Sequence, residues 1–200
     1  MDQNISRDKT ENGLIYPLHD IILIIYQTPQ NKEENILLHI DVAAPEESET
    51  IAVLANIIWR EHYLPIIGLA QVEYMLKNLQ SKEQIKNDML EKGYTYYLVK
   101  DETHGYIGYA SIRLDPEELF ISKLYILAAF RGQKIGNQLL NTLLDVARAQ
   151  GKSAAFLTVN KYNSLALAVY NAWGFITAES IKSDIGGGFI MDDYIMRKKF

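Results

Sequence analysis

The spacing of apolar residues changes period twice along the chain. Residues 36–42 are apolar, β-branched at both ends and closed by Ala-Ala-Pro, which predicts a strand. Over residues 46–63 the apolar positions Ile51, Leu54, Ala55 and Ile58 recur at helical spacing, and Pro65 is expected to stop that helix. Residues 70–79 and 82–91 continue in helical register, with Ser81 a natural N-cap and Gly93 a closing glycine. The period then drops to two. Residues 94–100, 105–113 and 119–127 read as three strands, separated by turns at residues 101–104 and at Asp115-Pro116. Residues 131–150 give the clearest helix: Ile135, Leu139, Leu140, Leu143, Leu144 and Ala147 form one stripe, and Gly151 ends it. A strand over 153–159, a short helix over 163–173 and two strands over 175–183 and 189–198 follow, the last two joined across a Gly-Gly-Gly turn. This order predicts an α/β or α+β domain whose sheet mixes strand directions.

Upstream, the longest apolar run covers residues 21–26 and is far shorter than the roughly 20 residues of a membrane span. His19 and Asp20 precede it, and its flank is polar instead of basic, so it does not read as a signal peptide. It reads as a buried or edge strand of an N-terminal extension, residues 1–35, or as a strand that pairs two subunits into a homodimer. With no span and no signal peptide, the expectation is a cytoplasmic protein that does not engage a membrane.

Charge and cysteine usage narrow the chemistry. The chain has 25 acidic and 20 basic side chains, a net charge of −5, and no cysteine. The acidic balance argues against a nucleic-acid partner held by phosphate neutralisation. The missing thiols exclude disulfides, thiolate metal sites and a covalent thioester on the protein. The excess of acid suggests a cationic partner, yet it is local. Residues 1–50 hold ten acids and three bases, so the remaining 150 residues carry 15 acids and 17 bases, or +2. Net charge therefore says little about the partner of the C-terminal three quarters. The four histidines show no metal-ligand spacing and read as ordinary surface or core residues, and no metal is expected.

Two segments carry candidate chemistry. In the first, residues 124–136, a strand runs into a turn with two glycines and two cations, Arg131, Gly132, Lys134 and Gly136, and then into the long helix. Free backbone N–H groups and the positive end of the helix dipole make such a turn an anion site. A plain strand-to-helix connection with a basic turn fits it equally well. The glycine spacing is wrong for a dinucleotide fingerprint, and Gly151-Lys152-Ser153 lacks the earlier glycine of a P-loop. In the second segment, residues 163–175, Asn163 could be an N-cap and Tyr170 a core aromatic.

Taken together, the two segments resemble the GNAT superfamily of acyl-CoA-dependent N-acyltransferases. The first resembles the family's Arg/Gln-x-x-Gly-x-Gly/Ala pyrophosphate motif, with Arg131 and Gly136 in place. The second resembles its Asn-x-x-Ala-x-x-x-Tyr-x-x-x-Gly-Phe motif, matched by Asn163, Ala166, Tyr170, Gly174 and Phe175. The resemblance covers residues 36–200 as one domain. It implies a mixed, mostly antiparallel sheet of about seven strands flanked by helices. Residues 122–125 and 192–196 also look like a bacterial branch that includes polyamine-acetylating members. Lys134 departs from the pattern, standing where the family usually has glycine. At a helical φ it costs little; at positive φ it is penalised by roughly 1 kcal/mol.

The resemblance implies transfer of acetyl from acetyl-CoA directly to an amine of a small molecule or peptide. Backbone groups of Leu124, Tyr125 and Ile126 would pair with the pantetheine arm. Arg131, Gly132, Gln133, Lys134, Ile135 and Gly136 would hold the pyrophosphate, and Asn163 would cap its helix or touch the pantetheine. Tyr170 would give a proton to the departing thiolate. A thiol near 8.5 and a phenol near 10 make that transfer mildly uphill in water and feasible in a site that excludes it. Glu118, Ser122, Tyr63 and Asp193 are candidates for the base. Trp59, Tyr63 and Tyr74, with residues 64–71 and 186–188, would shape an acceptor pocket, although helical spacing also allows the three aromatics to be core. The competing function is a non-catalytic acyl-CoA-binding or regulatory protein on the same fold.

Overall fold

The computed structural model describes residues 37–200; the apolar run at 21–26 and its reading as an added strand lie outside the described residues. Seven strands form one sheet: β1 (Leu38–Val42), β2 (Tyr94–Asp101), β3 (Gly105–Leu114), β4 (Glu118–Ile126), β5 (Ala154–Asn160), β6 (Ile176–Gly186) and β7 (Phe189–Lys199). Their spatial order is β1-β2-β3-β4-β5-β7-β6. Every neighbouring pair is antiparallel except β4 and β5, which run parallel. The mixed, mostly antiparallel sheet flanked by helices is the architecture that the sequence implied.

Four helices accompany the sheet: α1 (Ser48–Leu79), α2 (Lys82–Glu91), α3 (Ile135–Ala149) and α4 (Ser164–Ala172). The stripe on α3 is buried throughout, from Ile135 to Ala147. Each of its leucines contributes about 1.5–3 kcal/mol by leaving water. Ser81 caps α2 as expected, its hydroxyl accepting from the Gln84 N–H at 3.2 Å. Tyr96 and Tyr109 reach from the sheet to Asp88 on α2 and to Gln80 just past α1, at 3.2 and 3.3 Å. No described helix is long and apolar enough to cross a membrane.

Two helix boundaries differ from expectation. Pro65 does not end the first helix but lies inside α1, and the break falls at Gly68, with φ 78° and ψ 163°. Proline removes one helical donor without forcing the chain out of helical dihedrals, whereas those of Gly68 are open mainly to glycine. The helix expected from residue 131 starts at Ile135, because Lys134 has φ 63° and ψ 5°, left-handed and outside the helix.

The sheet opens where two strands diverge. β4 and β5 pair only over residues 118–121 and 154–157. Just beyond, Ser111 faces Lys123 while Ile112 faces Ile121, so Ser122 is the extra residue of a β-bulge. A bulge bends its strand and strengthens its twist. From there the rest of β4 separates from β5, and β5 continues pairing only with β7. The β6–β7 hairpin turns at Gly187-Gly188, and its tip rests on the second half of α1. There the Tyr74 hydroxyl donates to the Ile185 carbonyl at 2.7 Å and its ring meets Phe189 at 5.1 Å.

Candidate active site

The gap between β4 and β5 is the floor of a cleft of ≈ 540 Å³. Its walls come from β4, β5, the turn before α3, one side of α4, and His62 and Tyr63 on α1. Among the residues singled out in the sequence, Leu124, Tyr125, Ile126, Arg131, Gly132, Lys134, Ile135, Gly136, Asn163 and Tyr170 line it. Gln133 does not; its amide donates to the Ala129 carbonyl at 3.3 Å.

The strand edge follows from ladder geometry. The Leu127 N–H donates to the Ile107 carbonyl at 2.9 Å. By the alternation of an antiparallel ladder, Tyr125 also turns its backbone groups toward β3, and Leu124 and Ile126 turn theirs toward the gap. The Ile126 carbonyl already accepts from Arg131 Nε at 3.0 Å. Arg131 is thereby fixed at the end of β4, beside the cleft. Tyr125 contributes its ring instead of its amide.

At the head of α3 the first N–H groups have no carbonyl above them in the helix. Gly136 keeps this end open, since a Cβ there would stand 3.3 Å from Trp173 Cη2 on the opposite wall. Small size at residue 136 thus serves the contact between α3 and α4 as well as access to the backbone. Asn163 caps α4, its side-chain oxygen accepting from the Ala166 N–H at 3.2 Å. It is 2 % exposed, and its amide is also within hydrogen-bonding reach of His62 and Tyr63.

A cluster of phenols forms the centre. The Tyr63 and Tyr125 hydroxyls lie 3.3 Å apart. Burial pushes Tyr63, Tyr125 and Tyr170 above the ordinary tyrosine value, and for Tyr170 and Tyr125 the nearby Tyr63 adds to the effect. All three therefore hold their protons at neutral pH. Tyr170 packs edge-on to Trp173 and Phe175 at 5.8 and 5.9 Å. Trp59 is core, 4 % exposed, and stacks on Tyr63 at 4.7 Å. Tyr74 supports the hairpin tip, so of the three aromatics only Tyr63 faces the cleft.

The four base candidates separate clearly. Glu118 is held by Arg197 through two bonds of 2.7 and 3.2 Å and does not line the cleft. Ser122 lines it and accepts from Lys123 Nζ at 2.8 Å; burial pushes that ammonium down to about 8. Tyr63 lines it but is held protonated. Asp193, paired with Asn160 across β5 and β7, is buried and its carboxyl is pushed up to about 6, by burial first and then by Asp192. The sequence reading missed His62. Its ring lines the cleft 4.8 Å from Tyr63, and burial, then Arg131, lowers its basicity. Its place four residues after the buried Ile58 was the available signal.

The chain matches the model of the Acetyltransferase (GNAT) family over residues 51–175. Spermidine N(1)-acetyltransferase of Thermoplasma acidophilum is 23% identical over 160 residues, 78% of this chain and 92% of that protein. The probable N-acetyltransferase camello of Xenopus laevis is 30% identical over 132 residues, 63% of this chain and 57% of that one. Among solved structures, the PaiA N-acetyltransferase from Thermoplasma acidophilum in complex with coenzyme A superposes with a TM-score of 0.69 at 22% identity. It covers 82% of this chain and 100% of that one. The GCN5-related N-acetyltransferase from Rhodopseudomonas palustris gives 0.70 at 15% identity, covering 84% and 99%. The chain belongs to the GNAT family of acetyltransferases.

Proposed function

We propose that this GNAT acetyltransferase moves an acetyl group from acetyl-CoA directly to a primary amine of a small molecule or peptide. The observation that carries the reading is the continuity of the cleft. One run of wall joins the unpaired edge of β4, the cationic turn before α3, and Tyr170. These match the three parts of the co-substrate. Leu124 and Ile126 offer backbone groups to an extended amide-bearing arm. The N–H groups at the head of α3, with Arg131 and Lys134, suit a pyrophosphate. Tyr170 stands on the wall with its proton retained.

In the reaction the amine nitrogen bonds to the acetyl carbon and the carbon–sulfur bond breaks. The electron pair leaves on sulfur, and the Tyr170 hydroxyl gives that sulfur its proton. Burial makes Tyr170 a weaker acid than in water. The same exclusion of water destabilises the thiolate, so the proton transfer remains feasible. The phenolate then recovers a proton from the nitrogen of the adduct. The spermidine acetyltransferase relative makes an aliphatic polyamine the first acceptor to assay.

Tyr170→Phe separates this reading from a non-catalytic acyl-CoA-binding protein. Turnover should fall by about 10²–10⁴-fold, the range of general acid–base catalysis, with acetyl-CoA affinity nearly unchanged. A wild-type protein that is stabilised by acetyl-CoA and acetylates no amine would overturn the catalytic reading.

A further inference from the structure

Asp193 is an anomaly in an otherwise well-satisfied interior. Its side chain is 5 % exposed, and its Oδ1 has no hydrogen-bond partner among the described residues. A buried carboxylate oxygen without a donor is costly, and native structures rarely leave one. The neighbouring cations are already engaged. Lys161 is bonded to Asp192, Arg197 to Glu118, and Arg131 to the Ile126 carbonyl. Lys182, on β6, also turns to Asp192, at 3.8 Å. Asp193 is therefore left with the Asn160 amide as its polar neighbour on β5.

Its position gives that unfilled valence a direction. Asp193 is close enough to Tyr63 for its charge to oppose ionisation of the phenol. Tyr63 is the α1 side chain that faces the cleft and meets Tyr125. The groups around Asp193 are then Asp192 on β7, which repels it, Lys161 after β5, which attracts it, Asn160 on β5, and Tyr63 on α1. The pyrophosphate end of the cleft carries Arg131 and Lys134. The two ends are of opposite sign, and the anionic end is the one beside the phenols.

We propose that Asp193 is the group that receives the acceptor's ammonium and takes its proton, so that cationic aliphatic amines are the preferred acceptors. This rests on the acetyl transfer proposed above. An aliphatic amine arrives as R–NH₃⁺ and cannot attack until one proton leaves. Asp193 accepts that proton, directly or across one water, and becomes a neutral carboxylic acid. The free amine attacks the thioester carbon. The second proton passes from nitrogen through Tyr170 to sulfur, and Asp193 returns its own to solvent once the neutral amide departs. His62 is the other cleft group able to take a proton, but it sits with Asn163 and Arg131, toward the pyrophosphate end.

The experiment measures kcat/KM across pH 5–9 for the wild type, Asp193→Asn and Asp193→Glu, with two amines. Spermidine arrives protonated; aniline carries no proton at neutral pH and needs neither an anionic seat nor a base. Asp193→Asn should lose about 100-fold or more with spermidine while changing by less than about threefold with aniline. The acidic limb of the wild-type spermidine profile, set near the Asp193 value of about 6, should disappear, and Asp193→Glu should restore part of the rate. Retention of the spermidine rate and of the acidic limb in Asp193→Asn would overturn the proposal and leave acetyl transfer standing. An equal fall with both amines, accompanied by loss of the thermal shift on adding acetyl-CoA, would assign Asp193 a structural role and overturn it too. Failure of the wild type to acetylate either amine would instead overturn the acetyl-transfer reading itself.

Discussion

Lys134 is the one described non-glycine residue with positive φ, at 63°, and it sits at the N-cap of α3 in the anion-binding turn. A side chain in that conformation costs about 1–2 kcal/mol, and glycine removes the cost. Glycine also adds about 0.4–1 kcal/mol of freedom to the unfolded chain. The net expectation for Lys134→Gly is a gain of about 0.5–1 kcal/mol. For a chain of this size that is a rise in Tm of about 1–4 °C. Lys134→Ala keeps the strained Cβ and removes only the charge, so its stability should match the wild type. In acetyl-CoA binding the two variants should agree. An exposed ammonium beside a pyrophosphate is worth about 0.5–1 kcal/mol, so both should bind about two- to fivefold more weakly. Urea unfolding followed by fluorescence of Trp59 and Trp173 reads the first quantity, and calorimetric titration of acetyl-CoA reads the second. If Lys134→Gly is no more stable than Lys134→Ala, the strain argument fails. If both variants bind acetyl-CoA as tightly as the wild type, Lys134 does not touch the pyrophosphate.

The elements that were legible in the sequence are those whose signal is local. The α3 stripe repeats one residue type at one period, and Ser81 stands three residues before the N–H it caps. The first helix was misjudged because Pro65 and Gly68 compete to end it. Proline carries the stronger general penalty, but the dihedrals that actually leave the helix are those of Gly68. The start of α3 turned on Lys134, whose φ is dictated by the turn from β4 and by no preference of lysine.

The site divides in the same way. Arg131, Gly136, Asn163 and Tyr170 occupy two contiguous segments, and the cleft brings both together. What no segment revealed is the gap that admits a ligand. It depends on the Ser122 bulge, which exists only as a mismatch between β3 and β4, strands set in register by tertiary pairing. The acceptor side is equally non-local. Glu118 and Asp193 looked alike as carboxylates on strands. Pairing neutralises the first with Arg197 and leaves the second with a bare oxygen. The net charge of −5 pointed vaguely to a cation, whereas one buried carboxylate beside Tyr63 supplies a specific seat for it.

Gly136→Ala should weaken acetyl-CoA binding, because the new Cβ at 3.3 Å from Trp173 must push the α3 and α4 walls apart by a few tenths of an ångström. A thermal shift on adding acetyl-CoA equal to that of the wild type would refute this. Asn163→Ala removes the α4 cap and should cost about 1–2 kcal/mol, lowering Tm by about 2–8 °C. The drop should be accompanied by a changed acidic limb of activity, since His62 loses its Asn163 contact. The last expectation concerns stability and not rate. The Asp193 carboxyl is raised in the fold from 3.8 to about 6, so the folded state prefers the protonated form. Ionised Asp193 then destabilises the protein at any pH above about 6, the cost shrinks as pH falls from 6 toward 3.8, and it vanishes below. At about 1.4 kcal/mol per pH unit the full cost is about 3 kcal/mol. Asp193→Asn cannot ionise, so its advantage over the wild type in urea unfolding should widen by about 1 kcal/mol between pH 5 and pH 7 and stay level above. An advantage that does not change with pH would mean that the carboxylate finds a partner in solution, and the bare oxygen on which its role in the cleft is argued would not exist.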